Sequence, residues 1–381
     1  MTKSTPSPLS LAAALNAFVV TFGVLFGVVT VYLVLDRARV FETQALTDAV
    51  QVRGRHAADD LARNLNDTWR MLAAVRDKAS ASDPDMIRGM LTAVVGDGLR
   101  VSWAGFAEPN GQVRMASDDL LLGADVSSRP WFQRGLSGSF AGDVHEAVLL
   151  NDLLGGTEAD PFRFIDLAAP VIGADGTVDG VIGLHIDFSW AEALLSETAE
   201  ELGLDLFLVN QAGELILSTD PSVSSSIELQ AFRAAAAGVA STTVETWPDG
   251  IRYFATVIPE VQYDDLPSFG WRIVARIAPT SFDQAQAQLL RSVVIVLSAV
   301  GLLLLVMTAA FSRWFLQPFH DLAENARRMA EGSDEYPFES RRTSELARLS
   351  AALARLQSRE TAGPSPGVTS AATTPLTPKE K

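Results

Sequence analysis

The chain has 381 residues, of which 48% are hydrophobic and 20% charged, with a formal net charge of −16 and no cysteine. The lack of cysteine excludes disulfides, thiolate metal sites and cysteine nucleophiles. An acidic balance without a basic patch argues against a nucleic-acid partner.

Two apolar runs without a charged residue, 9–35 and 292–312, organise the chain. Each is about as long as the roughly 20 residues that a helix needs to cross a bilayer. The first lacks a small-x-small cleavage site, so an uncleaved span is expected rather than a signal peptide. Residues 36–290 hold 37 acidic and 18 basic side chains, whereas 313–381 hold 9 and 10. The acidic stretch between the spans is expected on the periplasmic or extracellular side of a bacterial inner membrane. Both termini are then cytoplasmic, and residues 1–8 form a short polar tail.

After the first span, residues 36–80 contain no proline, and Leu61, Leu65, Leu72 and Val75 recur at helical spacing. A long helix rising from the membrane is expected. Residues 82–95 predict a second helix, with Asp83 as N-cap and Pro84 at its first position. Strand patterns follow at 101–107 and 112–117 around Asn110-Gly111, a strong hairpin signal. Further strands are expected at 139–150, 164–172 and 180–187. Ser189 with Glu192 fits a capping box opening a helix to Glu201.

The theme then repeats. Strands are expected at 204–209, 214–218, 241–246, 251–258 and 270–277, with a short helix at 228–237. Without alternating βαβ units, a parallel sheet is not expected. Two α+β modules with antiparallel sheets, about 82–190 and 203–278, should therefore stack in one domain spanning 36–291. A helix from Pro279 should lead into the second span.

Beyond that span, Phe319, Leu322, Ala326 and Met329 are spaced three, four and three. Leu346, Leu349, Leu353 and Leu356 repeat the spacing. Two short heptad helices cannot bury a core alone, but two copies of the chain can pair them into a four-helix bundle. A homodimer is thus expected. Residues 361–381, rich in Pro, Ser, Thr and Ala, read as a disordered tail.

This order resembles bacterial sensors with a double Cache domain, two stacked PAS-like modules on a long N-terminal helix, outside the membrane and a HAMP domain inside. The HAMP resemblance, over residues 313–360, rests on Pro318 early in the first helix, Glu331-Gly332 after it, and Glu345 ahead of the leucines. The Cache resemblance is sharpest at Arg129-Pro130-Trp131-Phe132 in the membrane-distal module. It is similar to the Arg-x-Trp-Tyr/Phe element that lines the pocket of amino-acid-binding members.

The resemblance implies that Arg129, Trp131, Phe132, His185 and Asp187 bind a small carboxylate or amino-acid ligand. An Arg guanidinium can grip a carboxylate with two hydrogen bonds, Trp131 offers a flat apolar wall, and Asp187 matches the family's acceptor for an ammonium group. Helix N-terminal amides at Pro130 would also favour an anion. His185, two residues before Asp187 on a strand, should share its face. The family's tyrosines are missing near Ala124 and Ala147 to Leu150, so the pocket has fewer hydroxyl donors. Each residue also has a plainer reading: Arg129 paired with Asp125 or Asp143, Trp131 and Phe132 in the core, and Asp187 capping the helix at Ser189.

No cofactor and no metal are expected. His145-Glu146 are adjacent on a strand and should point to opposite faces. No catalytic motif is present, so an enzyme is not expected. The composite expectation is a signal-transducing receptor with a small-molecule ligand in the distal module. Because 313–381 is short for a HAMP domain plus a fused output domain, its signal should pass to a separate cytoplasmic partner. The alternative is a membrane-tethered interaction protein whose outer domain holds another protein.

Overall fold

The computed structural model describes residues 10–80, 82–146, 161–223, 228–279, 283–333 and 339–361. The expected tails, the strand end at 147–150, the loop to 160, the helix start at 280–282 and part of the linker around Pro337 lie outside these residues. The chain divides into two units, Ala38–Gln284 on the one hand and Met1–Arg37 with Ala285–Lys381 on the other.

Helix α1 runs without a break over Leu11–Ala79 and joins the first apolar run to the predicted helix that follows it. Within the Ala38–Gln284 unit come α2 (Pro84–Val95), β1 (Val101–Ala107), β2 (Val113–Ala116), α3 (Pro130–Gly135) and β3 (Phe140–Glu146). They are followed by β4 (Arg163–Ile172), β5 (Val178–Asp187) and α4 (Phe188–Leu202). The second module holds β6 (Asp205–Val209), β7 (Leu215–Ser218) and α5 (Gln230–Ala236). Its remaining strands are β8 (Ser241–Thr246), β9 (Arg252–Ile258) and β10 (Arg272–Ile277).

The two sheets have the same order, β2-β1-β5-β4-β3 and β7-β6-β10-β9-β8. Every pairing described is antiparallel. The expected repetition of one module type is therefore observed. Strand alternation gives each sheet two faces. One face of both sheets joins a single core with α1: Leu61, Leu65 and Leu72 pack with Ile165, Leu167 and Leu184 and with Leu206, Leu208 and Ile273. The approach is close enough that a Cβ on Gly54 of α1 would stand 2.9 Å from Ala275 Cβ. The opposite faces carry separate cores, one around Trp103, Trp131, Phe132 and Phe164 and one around Phe207, Trp247 and Tyr253.

Two details differ from the sequence expectation. Asp83 stands at the N-cap of α2 but its side chain makes no cap hydrogen bond. Ser189 does not cap α4. The cap is Asp187, the plainer reading of that residue, whose Oδ1 accepts the Ser189 N–H at 2.8 Å, because β5 runs straight into the helix two residues earlier than a Ser189 cap would place it.

Helix α6 (Asp283–Phe311), which belongs to the other unit from Ala285 on, contains the second apolar run up to Phe311. Both α1 and this helix are long and apolar enough to cross a membrane. A π-helical turn at Ser312–Leu316 leads into α7 (Gln317–Ala330), and α8 covers Ser344–Thr361. Pro318 has no N–H for the Trp314 carbonyl four residues back, and that carbonyl accepts from Arg342 Nη1 at 3.1 Å.

Candidate functional site

The outer face of the first sheet, opposite α1, gathers the predicted residues through strand pairing. Trp103 of β1 and Asp166 of β4 both lie opposite His185 of β5. Phe164 lies opposite Asp187, and the α3 side chains Trp131 and Phe132 pack on this surface. The His185 ring is boxed by aromatics: Trp103 at 5.1 Å, Phe164 at 5.9 Å and Trp131 at 6.2 Å between centroids. Gly183 makes room for this, since a Cβ there would stand 2.7 Å from the Trp131 ring.

Trp131 and Phe132 are therefore buried, at 3% and 2% exposure, and they wall the site as part of its core. Asp187 shares the His185 face, as expected, with one carboxylate oxygen committed to capping α4. Arg129 stands immediately before α3 and is half-buried. Its backbone carbonyl accepts from Phe132 and Gln133 N–H. Its guanidinium makes no ion pair among the described residues. Of the two acids that could have matched it, Asp125 instead accepts from Ser127, and those hydrogen bonds hold its carboxyl below the usual range. Asp143 is engaged by the second module: its Oδ1 accepts from Trp271 Nε1 at 2.8 Å and its Oδ2 from Asn210 Nδ2 at 3.0 Å.

The structure adds partners that sequence reasoning passed over. His185 Nδ1 lies 2.5 Å from Asp166 Oδ1, with both side chains buried. His145 Nε2 lies 3.6 Å from Asp166 Oδ2. A register shift between Gly142 and His145 in the β3–β4 pair turns His145 onto the Asp166 face, as β-bulges do. The available signal was the alternation Phe164-x-Asp166 in β4, which places an acid on the same face as the aromatics.

Among the expected helix-packing residues of the other unit, Pro318, Leu322 and Leu346 are buried. Met329 and Leu353 are half-buried, and Phe319, Leu349 and Leu356 are exposed at 40%, 49% and 58%. Glu345 lies in the first turn of α8, where a negative charge is favoured by the helix dipole.

Residues 310–362 match the HAMP domain family. No curated protein matches the chain in sequence. Among solved structures the chain is similar to an extracellular ligand binding receptor from Desulfohalobium retbaense DSM5692, with 14% identity, 60% of this chain and 40% of that one covered, and a TM-score of 0.48. It is also similar to the ligand-binding domain of the Pseudomonas fluorescens chemoreceptor CtaA in complex with L-leucine, with 18% identity, 62% and 95% covered, and a TM-score of 0.45. A third is the ligand-binding domain of the Pseudomonas aeruginosa amino acid chemoreceptor PctC in complex with GABA, with 17% identity, 61% and 99% covered, and a TM-score of 0.46. The chain thus spans less than half the length of the first of these. The described residues therefore join two span-length apolar helices, a two-module α+β domain between them and a match to the HAMP domain family after the second.

Proposed function

We propose that this chain is a transmembrane sensory receptor that binds a small extracytoplasmic ligand of the carboxylate or amino-acid type on the outer face of its first module, the membrane-distal one. Residues 36–291 are periplasmic and both termini cytoplasmic. The carrying observation is Arg129. A half-buried guanidinium that makes no ion pair among the described residues is open to an anion. A ligand carboxylate supplies one through two parallel hydrogen bonds. Trp131 and Phe132 then form the apolar wall, and the second Asp187 oxygen is available to an ammonium group.

Binding shifts the population between two states of the domain in proportion to its differential affinity for them. The shift passes through α6 into the HAMP helices and to a separate cytoplasmic signalling partner. The exposed Phe319, Leu349 and Leu356 support a HAMP bundle completed by a second copy of the chain.

The test is a thermal-shift and calorimetric screen of the full chain in detergent against free amino acids, small carboxylates and amines. The expected result is a carboxylate-bearing hit whose affinity falls at least about tenfold in Arg129→Ala, the loss for one charge-assisted contact. A hit indifferent to Arg129→Ala moves the pocket elsewhere. Absence of any hit, with a protein partner captured instead, favours a tethered interaction protein.

A further inference from the structure

We propose that His145, Asp166 and His185 form a binding site for a divalent transition-metal ion of the zinc type. Their ligand atoms all lie within 4.8 Å of one another. An ion sits about 2.0–2.2 Å from imidazole nitrogen and carboxylate oxygen, so binding replaces the hydrogen bond between His185 Nδ1 and Asp166 Oδ1, displaces its proton, and turns the His145 ring inward. Two imidazoles and one carboxylate suit Zn2+ or Ni2+ and not Mg2+ or Ca2+, which prefer all-oxygen sites. Three protein ligands leave a fourth position open to water or to a ligand group.

Three further observations point to a cation. First, the Asp166 carboxylate is 4% exposed and has no Lys or Arg partner among the described residues. A buried carboxylate facing only imidazoles is costly unless its charge is balanced. Second, His145 Nδ1 lies 3.1 Å from the Asp143 backbone carbonyl. A proton held there leaves Nε2 bare and aimed at Asp166, the arrangement that orients metal-ligating histidines. Third, the His145 side chain is 37% exposed, which gives an ion a way in, while Asp166 and His185 form the buried floor.

The site also has a route to the rest of the domain. Asp143, two residues before His145 on the same bulged strand, holds Trp271 and Asn210 of the second module. An ion that fixes the bulge therefore fixes the strand segment that ties the modules together.

The experiment uses tag-free full chain in detergent, stripped with a chelator and titrated with Zn2+ and, separately, Mg2+ by calorimetry and by equilibrium dialysis with metal analysis. The expected result is saturable uptake of Zn2+ at a single site with no Mg2+ response. His145→Ala and Asp166→Asn should each weaken it by more than about 100-fold, beyond the range that loss of an outer-shell partner gives. His56→Ala and His320→Ala should leave it unchanged. Asp166→Asn keeps the side chain's shape, and circular dichroism of both variants without metal shows whether they remain folded. The idea is overturned if the folded parent takes up no Zn2+, if Mg2+ competes equally, or if folded His145→Ala and Asp166→Asn both bind Zn2+ as the parent does. The site shares His185 with the carboxylate pocket proposed above but not Arg129, so the two readings fail separately. Arg129→Ala should lose the carboxylate hit and keep Zn2+.

Discussion

The two modules share a strand order and differ in what their central strands place on the outer face. In the second module β10 presents Arg276, 2% exposed. It is ion-paired with Asp205 at 2.7 Å and with Asp220. Its guanidinium lies over the rings of Tyr253 at 4.0 Å, Trp247 at 4.1 Å and Phe207 at 5.3 Å. That module carries its own cation inside an aromatic cage, with its charge balanced by its own acids. In the first module β5 presents His185, also caged by aromatics, but among the described residues its partner Asp166 has no fixed cation and Arg129 makes no ion pair. The comparison teaches that one strand order can carry an outer face whose charges are matched internally, as at Arg276, or one whose buried acid meets only imidazoles among the described residues, as at Asp166.

The most disruptive way to break the comparison is Arg276→Ala. It strands two acids beside a vacated aromatic cage and should cost about 3–5 kcal/mol, the usual result of removing one partner of a buried pair. Denaturant unfolding of the full chain measures this. A loss below about 1 kcal/mol, the range of exposed pairs, would show that the cage is not the second module's anchor.

Asp143→Ala cuts the tie between modules. It removes the acceptor for Trp271 and Asn210 and should cost about 1–3 kcal/mol. Hydrogen exchange should rise at β3 and around Trp271. Exchange confined to β3 would mean that the modules are held by α1 alone.

Asp187→Ala separates two roles. Loss of the α4 cap should cost about 1 kcal/mol, read as a lowered unfolding midpoint. Asp187→Asn retains a capping oxygen and should recover most of this stability. If Asp187 also receives an ammonium group, Asp187→Asn should still lose amino-acid binding.

The smallest effect is confined to alkaline solution. Burial in the cage, with the hydrogen bond to Asp249, pushes the Tyr253 hydroxyl up to about 12. The unfolded phenol ionises near its ordinary value of 10, so the folded state binds the extra proton between these limits. The stabilisation is complete below about pH 10 and is lost as the pH rises towards 12. Phenolate absorbance and unfolding midpoints against pH should show this, and Tyr253→Phe should flatten the stability decline. Asp220 behaves oppositely. Burial alone would raise its carboxyl, but hydrogen bonds from Ser222 and the Arg276 charge hold it below the usual range. Its contribution is present above the ordinary carboxylate range and is lost as the pH falls through the folded value.

Much of the architecture was legible because it follows from local period and composition. The uninterrupted apolar runs, Asn110-Gly111 and the other turn signals, the alternating strands and the heptads at Phe319–Met329 and Leu346–Leu356 are patterns within a few residues of one another. The pairing of Trp131 and Phe132 with His185 was legible only through the Arg129-Pro130-Trp131-Phe132 resemblance. The competing signals of Asp187 and Ser189 for one helix start were separated by where β5 ends.

By itself, the sequence determined two span-length apolar helices, two antiparallel modules and two heptad-patterned helices, since each is set by side-chain period along a continuous stretch. The tertiary structure decided which charges meet. Asp166 reaches His185 through antiparallel register between β4 and β5. His145 joins them through the register shift between Gly142 and His145 that puts it opposite Phe164. Arg276 finds Asp205 across one strand pair and Asp220 beyond the end of β7. Register and bulges are fixed by packing between distant segments, and no local pattern in the chain encodes the distance between two charges that they bring together.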